Sequence, residues 1–288
     1  MPTQVSPLAD VHPKAELGDG VIVGPFCRIG PDVVIGNDSI LESHVVVMGH
    51  TVLGERNRIF PHVSIGLDPQ DLGYKNAPTR TEVGDDNLMR EGVTIHRAAE
   101  KEDQLTRVGD KNFMMVNAHV AHNCRVGSRI VLGNNCMLGG HAHVQDAAVI
   151  SGGCAIHQFT TIGTMAFLAG TARVTTDVPP YMMATGCDNP EIKTINLVGM
   201  QRNGIGPEVI ALIKKAHRLI FRQMKSLEAV EDAFLQELDG IIPFEISNLF
   251  RFLRLQKAGK MGRAHEASRN HSGSSEQTKP DAQDRRAA

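Results

Sequence analysis

The chain has 288 residues, of which 41% are hydrophobic, and it carries 30 Lys and Arg against 32 Asp and Glu. This near balance excludes nucleic acid as the expected partner, because phosphate binding needs an excess of basic residues. No apolar run approaches the ~18 residues of a membrane span, and the first residues lack the basic and apolar segments of a signal peptide. We therefore expect a cytoplasmic protein with no membrane span and with reduced cysteines.

Aliphatic residues recur at every sixth position in the first two thirds of the chain. The period begins at Val11, restarts at Val83 and runs from Val108 to Val174. Glycine often follows the aliphatic residue, and a small or β-branched residue often stands two places before it. Such a period fits neither a helix nor a simple strand, and it predicts a solenoid with flat faces one hexad long. Four cysteines fall in the small-residue column, which predicts buried packing for Cys27, Cys124, Cys136 and Cys154, with Cys187 outside it.

Two polar segments, 68–80 and 98–106, interrupt the period, and we expect them to project from one edge of the solenoid as loops. The period stops at the paired prolines Pro179 and Pro180, which cannot continue a strand ladder. The predicted organisation is a solenoid over 1–187, a helical domain over 188–258 and a disordered polar tail over 259–288.

Three amphipathic helices are predicted in the C-terminal domain. The first has Pro207 in its first turn, the second runs from Ser226 to Leu238, and the third runs from about Phe244 to Leu255.

The hexads resemble those of the hexapeptide-repeat acyltransferases, which form a left-handed parallel β-helix with three hexads per coil. The resemblance implies an all-β solenoid followed by a small helical domain, with residues eighteen apart stacked. His122, Gly140 and Gln158 would then share one column, with His141 one place further along. A histidine can remove a proton near neutral pH, and a glycine N–H can stabilise a developing oxyanion. The alternative is that these histidines lie on a solvated face.

Several strings are similar to the UDP-N-acetylglucosamine 3-O-acyltransferases of lipid A synthesis, among them IGLDPQDLGY, VNAHVAHNCRVG, GGHAHV and AIHQF. The resemblance implies transfer of a 3-hydroxyacyl group from acyl carrier protein to the 3-hydroxyl of UDP-N-acetylglucosamine, by a homotrimer without metal or cofactor. It implies His122 as general base and the Gly140 N–H as oxyanion hole. It implies substrate contacts from Asp71, His119, His141, His157, Gln158, Gly170, Asn196 and Arg202.

The resemblance carries further expectations. Gly170 would form the floor of the acyl groove and leave room for a long donor of the myristoyl class. The basic residues of the first C-terminal helix, Lys214, Lys215, Arg218 and Arg222, would dock the acidic carrier protein or form an ordinary solvated face.

Three positions depart from the family pattern. Asn123 replaces an Asp that often follows the catalytic histidine, and Asn203 and Gly73 replace basic residues. Two alternative functions remain open: the same chemistry on a 3-amino UDP-sugar, and a zinc-dependent carbonic anhydrase of the γ class.

Overall fold

The computed structural model describes residues 2–259, so residues 260–288 of the predicted tail lie outside the described residues. The first strands in chain order are β1 Gln4–Val5, β2 Asp10–Val11, β3 Glu16–Leu17, β4 Ile22–Val23, β5 Arg28–Ile29, β6 Val33–Ile35, β7 Ile40–Leu41, β8 Val46–Val47, β9 His50–Leu53, β10 Arg58–Ile59, β11 Ser64–Leu67, β12 Arg80–Val83, β13 Leu88–Met89 and β14 Thr94–His96. They are followed by β15 Leu105–Val108, β16 Phe113–Met114, β17 His119–Val120, β18 Arg125–Val126, β19 Val131–Leu132, β20 Met137–Leu138, β21 His143–Val144, β22 Val149–Ile150, β23 Ala155–Ile156, β24 Thr161–Ile162, β25 Phe167–Leu168, β26 Arg173–Val174, β27 Met182–Thr185 and β28 Glu191–Ile195.

These strands form the predicted left-handed parallel β-helix. Every third strand belongs to the same sheet, which we name A for the sheet that contains β1, B for that with β2 and C for that with β3. In coils without an insertion, paired Cα atoms lie eighteen residues apart, as between Val120 and Leu138. The backbone hydrogen bonds therefore run between successive coils, and the pairing is parallel until β28, which runs antiparallel to β27.

The aliphatic residues of the six-residue period fill the interior of the coil. Val120 and Leu138 are fully buried, and Ile156 is nearly so. The four cysteines of the small-residue column are also buried, as predicted, and burial raises the pKa of the Cys124 thiol to about 12. Successive coils lie so close together that some turns have no room for a side chain, which explains the glycines at those positions. A Cβ on Gly24 would lie 1.4 Å from the Glu42 carbonyl oxygen.

Both interruptions of the period are loops that leave the stacking of the coils unchanged. Across the first, Ile59 pairs with Met89, and across the second, Met89 pairs with Met114. The loops are shorter than predicted, because Arg80 begins β12 and Leu105 and Thr106 begin β15. The first insertion is therefore 68–79 and the second 97–104.

Four α-helices follow the solenoid: α1 Leu197–Arg202, α2 Pro207–His217, α3 Leu227–Glu237 and α4 Phe244–Lys257. Pro207 opens α2, and Ser226 caps α3 by accepting from the Ala229 N–H, as the sequence pattern indicated. The predicted first helix changes form at Arg218–Arg222, which is a π-helical turn. The sequence did not predict α1 or the β27–β28 pair. A second core packs Tyr181 against the helices, and no helix in the described part of the chain is long and apolar enough to cross a bilayer.

Candidate active site

One corner of the solenoid, between sheets B and C, collects most of the predicted site residues. Both insertions join a strand of sheet B to a strand of sheet C, and so do the turns 121–124, 139–142 and 157–160. Because these segments occupy the same corner of successive coils, their side chains lie close together. We call this region the B/C corner. It holds the predicted residues Asp71, His122, Gly140, His141, His157 and Gln158, with His119 on the adjoining strand of sheet B.

The imidazole of His122 is oriented by the residue that follows it. Its Nδ1 lies 2.9 Å from Oδ1 of Asn123, an oxygen that also accepts the Ala99 N–H at 2.8 Å. The amide nitrogen of Asn123 donates to the Lys101 carbonyl at 2.9 Å, which fixes which end of the amide is oxygen. Nδ1 of His122 therefore carries a proton in the neutral ring, and Nε2 is left as the basic nitrogen.

The environment of His122 favours the neutral ring. Burial lowers its pKa below the usual value of 6.5, and the positive charges that His141 and Lys101 can carry lower it further. The hydrogen bond to Asn123 and the charge of Asp71 oppose this shift. The form of His122 that can accept a proton is therefore the populated one at neutral pH.

Gly140 lies directly against the His122 ring. A Cβ at this position would be 2.7 Å from Cε1 and 2.8 Å from Nε2 of His122. The Gly140 N–H donates to no acceptor within residues 2–259, whereas the neighbouring Gly139 and His141 N–H groups are both hydrogen-bonded between coils. The column thus brings a basic nitrogen and an unused backbone donor into the same place, and acyl transfer requires both groups.

His141 packs inside the same corner with only 3% of its side chain exposed. Its ring stacks on Phe159 at 4.4 Å between centroids and meets the His122 ring edge-on at 5.3 Å. Its Nδ1 lies 3.2 Å from a carboxylate oxygen of Glu102, but without the alignment of a hydrogen bond. Phe159 and His122 therefore hold the His141 ring in place, and the second insertion adds the Glu102 carboxylate beside it.

A second pair of histidines lies on sheet B beside this column. The His119 Nδ1 lies 2.7 Å from the hydroxyl of Thr94, and its ring meets His96 edge-on at 5.2 Å. Burial, and then the charges that His96 and His122 can carry, lower the pKa of His119 to about 4. His119 is therefore neutral at physiological pH and can act as a hydrogen-bonding group.

Asp71 brings a carboxylate to the corner from the first insertion. Its Oδ1 accepts the Gly73 N–H at 2.8 Å, and its Oδ2 accepts from the Lys101 ammonium at 2.7 Å. These two partners, Lys101 first, lower its pKa, and the charge that His122 can carry adds to the effect. Asp71 is therefore ionised, although only 15% of its side chain is exposed.

The remaining predicted residues occupy several places. His157 and Gln158 lie at the outer surface of the B/C corner, where the His157 Nδ1 is 3.1 Å from the Gln158 carbonyl oxygen. Gly170 is exposed at the next corner, between sheets A and B.

Asn196 and Arg202 do not join the histidines within one protomer. Asn196 is buried and caps α1, since its side chain accepts from Gly199 N–H and donates to the Met165 carbonyl at 2.8 Å. Met165 lies at the corner between sheets C and A, and Arg202 is exposed in the last turn of α1.

Four residues of the corner were missed as site residues: Thr94, His96, Glu102 and Lys101. The hexad pattern locates His96 on a strand of sheet B, so its position was available from the sequence, in the string GVTIHR. The second insertion has no periodic signal that would show where its side chains point. Residues 2–259 contain no group of three His, Cys, Asp or Glu side chains arranged to hold a metal ion.

Comparison with known proteins identifies similar sequences over most of the chain. Residues 177–261 match the family described as Udp N-acetylglucosamine O-acyltransferase, Domain 2, and residues 14–49 match the bacterial transferase hexapeptide repeat. The chain is 45% identical over 256 residues to the acyl-[acyl-carrier-protein]–UDP-N-acetylglucosamine O-acyltransferase of Myxococcus xanthus, covering 89% of this chain and 98% of the relative. It is 47% identical over 226 residues to the protein of that name from Alkalilimnicola ehrlichii, covering 78% and 87%.

Solved structures agree with the sequence relatives. LpxA of Bacteroides fragilis, a UDP-N-acetylglucosamine acyltransferase, superposes with a TM-score of 0.82 at 33% identity, covering 87% of this chain and 97% of that one. LpxA of Acinetobacter baumannii gives a TM-score of 0.81 at 36% identity, with coverage of 85% and 95%.

Proposed function

Since the chain belongs to the family of acyl-[acyl-carrier-protein]–UDP-N-acetylglucosamine O-acyltransferases, we propose how its residues transfer a 3-hydroxyacyl group from the carrier protein to UDP-N-acetylglucosamine. The reaction forms an ester at the 3-hydroxyl of the sugar and is the first step of lipid A synthesis. The observation that carries the assignment of roles is that Gly140, whose N–H has no acceptor in the described chain, packs so close to the His122 ring that an added Cβ would lie 2.8 Å from Nε2.

In the proposed mechanism, His122 is the general base. Its Nε2 removes the proton from the sugar 3-hydroxyl as that oxygen attacks the thioester carbonyl carbon. The Gly140 N–H stabilises the negative charge that develops on the carbonyl oxygen. When the tetrahedral intermediate collapses, the C–S bond breaks and the proton on His122 passes to the departing thiolate. The products are the 3-O-acyl sugar and the free thiol of the carrier protein.

The neighbouring side chains are proposed to hold the acceptor. Asp71, His119 and His141 would contact the sugar and its diphosphate, and His157 and Gln158 would line the outer part of the cleft. Support comes from their common position at the B/C corner, where Asp71 is ionised and His119 is neutral.

Gly170 is proposed to lie at the floor of the acyl groove. Because Gly170 stands across sheet B from Gly140, the acyl chain would cross the outer face of that sheet. A donor of the myristoyl class is expected to react fastest in a series of chain lengths, and a preference for ten carbons would contradict this assignment.

The assembly is proposed to be a homotrimer with active sites between neighbouring protomers. Asn196 and Arg202 lie beyond sheet C from the B/C corner, so they can serve the same acceptor only if a neighbour supplies them. A groove of about 670 Å³ runs along sheet C between the two corners and is lined in part by Arg125, His143 and Tyr181. We expect light scattering to give three times the chain mass of 31.3 kDa, and the mass of a monomer would exclude shared sites.

The carrier protein is proposed to dock on the basic face of α2. Lys214, Arg218 and Arg222 line one cleft. Lys193 and Lys215 line it too, although they are paired with Glu191 and Glu237. An acidic partner would be attracted by this concentration of charge. Charge reversal at Lys214 is expected to raise KM for the acyl carrier protein and to leave KM for the sugar nucleotide unchanged; an unchanged carrier KM would contradict docking here.

The proposed location is the cytoplasm, because the five cysteines are unpaired and four of them are buried as thiols. The proposal is excluded if a secreted fraction carries the activity.

The first test is acyl transfer from 3-hydroxymyristoyl carrier protein to UDP-N-acetylglucosamine by the native chain and by His122→Ala. Turnover that falls by several orders of magnitude in a folded variant is the expected result. An active native chain with a fully active variant would remove His122 from the mechanism. If the native chain reacted only with the 3-amino analogue of the sugar, the acceptor would be wrong while the site remained.

A further inference from the structure

Lys101 in the second insertion makes an ion pair with Asp71 in the first. The Lys101 Nζ lies 2.7 Å from Oδ2 of Asp71. The lysine side chain is 56% exposed, whereas the aspartate is only 15% exposed. A largely buried carboxylate thus depends on a cation that another segment of the chain supplies.

The backbone of the second insertion is held in place on both sides of this contact. On one side, the Asn123 amide donates to the Lys101 carbonyl and accepts from the Ala99 N–H. On the other, the Glu100 carboxylate accepts N–H groups of the first insertion, those of Lys75 at 2.8 Å and Ala77 at 3.0 Å. Because these hydrogen bonds involve Lys101 itself and the two residues before it, they fix the backbone that places the Lys101 side chain beside Asp71.

The first insertion has no side chain of its own at the matching place. Gly73 donates its N–H to Asp71 Oδ1, and a Cβ on Gly73 would lie 3.2 Å from that oxygen with no other atom within 4 Å. The space around position 73 is therefore open, and a side chain built there would meet only Asp71.

We propose that Lys101 is a positioning residue for the acceptor site, which holds the Asp71 carboxylate in the orientation that receives the sugar and supplies from the second insertion the cation that a glycine at position 73 cannot supply. The inference rests on the proposed function, because it concerns how Asp71 serves that reaction. One contact path then runs from the general base to the acceptor carboxylate. It passes from His122 to Asn123, from Asn123 to the Lys101 backbone, and from the Lys101 ammonium to Asp71.

The electrostatics of the corner provide a readout that a purely structural role would not move. The titratable groups that face His122 from the surrounding elements are Asp71, His96, Lys101, His119 and His141, with Glu102 against His141. Among them the Lys101 charge lowers the pKa of His122, and the Asp71 charge raises it. Loss of Lys101 removes the first influence and leaves the second, so the pKa of His122 rises.

The experiment compares Lys101→Met, Lys101→Arg and the double variant Lys101→Met with Gly73→Lys in the full-length enzyme. Lys111→Met, an exposed lysine in a turn between sheets C and A, is the matched control. Steady-state acyl transfer gives kcat and KM for UDP-N-acetylglucosamine, and the pH dependence of kcat/KM gives its acidic limb. Thermal melting checks that each variant is folded.

For Lys101→Met we expect kcat/KM for the sugar nucleotide to fall about tenfold or more, as on loss of a charge-assisted hydrogen bond. We also expect the acidic limb to move to higher pH. Lys101→Arg and the double variant should recover most of the loss, because each restores a cation beside Asp71. Native turnover with an unchanged Lys101→Met would overturn the inference and leave the proposed function standing. A folded Lys101→Met that neither Lys101→Arg nor Gly73→Lys rescues would also overturn it. Absence of turnover in the native enzyme would instead mean that the proposed function fails.

Discussion

Replacing Gly140 by alanine adds one methyl group at the closest contact in the proposed site. The new Cβ would lie 2.7 Å from Cε1 and 2.8 Å from Nε2 of His122. Non-bonded carbon atoms prefer a separation of ~3.5–4.0 Å, so the imidazole must move by about 1 Å. The movement also distorts the hydrogen bond between His122 Nδ1 and Asn123 Oδ1, which leaves Nε2 as the basic nitrogen.

The expected effect on catalysis is much larger than the effect on stability. A misplacement of about 1 Å costs on the order of 100-fold in rate, whereas overpacking costs about 1–3 kcal/mol of unfolding free energy. For a domain of 150–250 residues, a loss of 1 kcal/mol lowers Tm by about 2–4 °C. We therefore predict a kcat/KM reduced by about two orders of magnitude in a protein that remains folded at assay temperature.

The measurement is kcat/KM for acyl transfer, with a thermal melt of the same preparation. Gly206→Ala is the control, because no atom lies within 4 Å of its added Cβ and its φ of −66° suits alanine. A folded Gly140→Ala enzyme with at least a third of native kcat/KM would refute the packing argument.

Two further predictions concern carboxylates. Asn123→Asp sets an anionic oxygen 2.9 Å from the Lys101 carbonyl, where the amide now donates, and adds a negative charge beside His122. We expect a lower Tm and a higher pKa for His122, so the acidic limb of kcat/KM moves to higher pH; an unmoved limb would contradict the assignment of that limb to His122. Asp177 is buried and accepts the Thr161 N–H, and burial raises its pKa from 3.8 to about 6. A folded pKa above the unfolded one means that stability is present below about pH 4 and is lost as the pH rises to about 6. Asp177→Asn should therefore gain up to about 2–3 kcal/mol over the native protein at neutral pH and little at pH 4, as urea unfolding at several pH values would measure. An advantage that is the same at every pH would contradict the burial argument.

The repeated part of the fold was predictable because one rule governs every coil. A six-residue spacing decides which side chains point inward, and eighteen-residue stacking then places His122, Gly140 and Gln158 in one column. The strand ladder begins before the predicted period does, because Val5, six residues before Val11, already pairs with Val23 in β4.

The rest depends on segments without a period. The path of the second insertion is set by long-range hydrogen bonds, such as that from the Asn123 amide to Lys101, and nothing local in the sequence encodes them. Helix α1 has only six residues, too few to show a helical spacing of apolar residues. It is capped by Asn196, whose side-chain amide also donates to the Met165 carbonyl. For the same reason, Asn196 could be predicted as a functional position but not as a buried cap.

The edge of the described solenoid formed by β1, β2 and β3 has a consequence for solubility. The strands β1, β2 and β3 each end one of the three sheets, and their outer edges have no partner within the described residues. An unpaired edge of this kind is a template on which another chain can add a strand, and a solenoid ends in three of them. Pro7 and Pro13 lie in this first coil and lack the N–H that such an addition would use, while Asp10 and Glu16 put charge on the exposed strands. Missing N–H groups and charged side chains therefore disfavour strand addition at this edge of the described coils, although these residues lie far along the chain from the B/C corner.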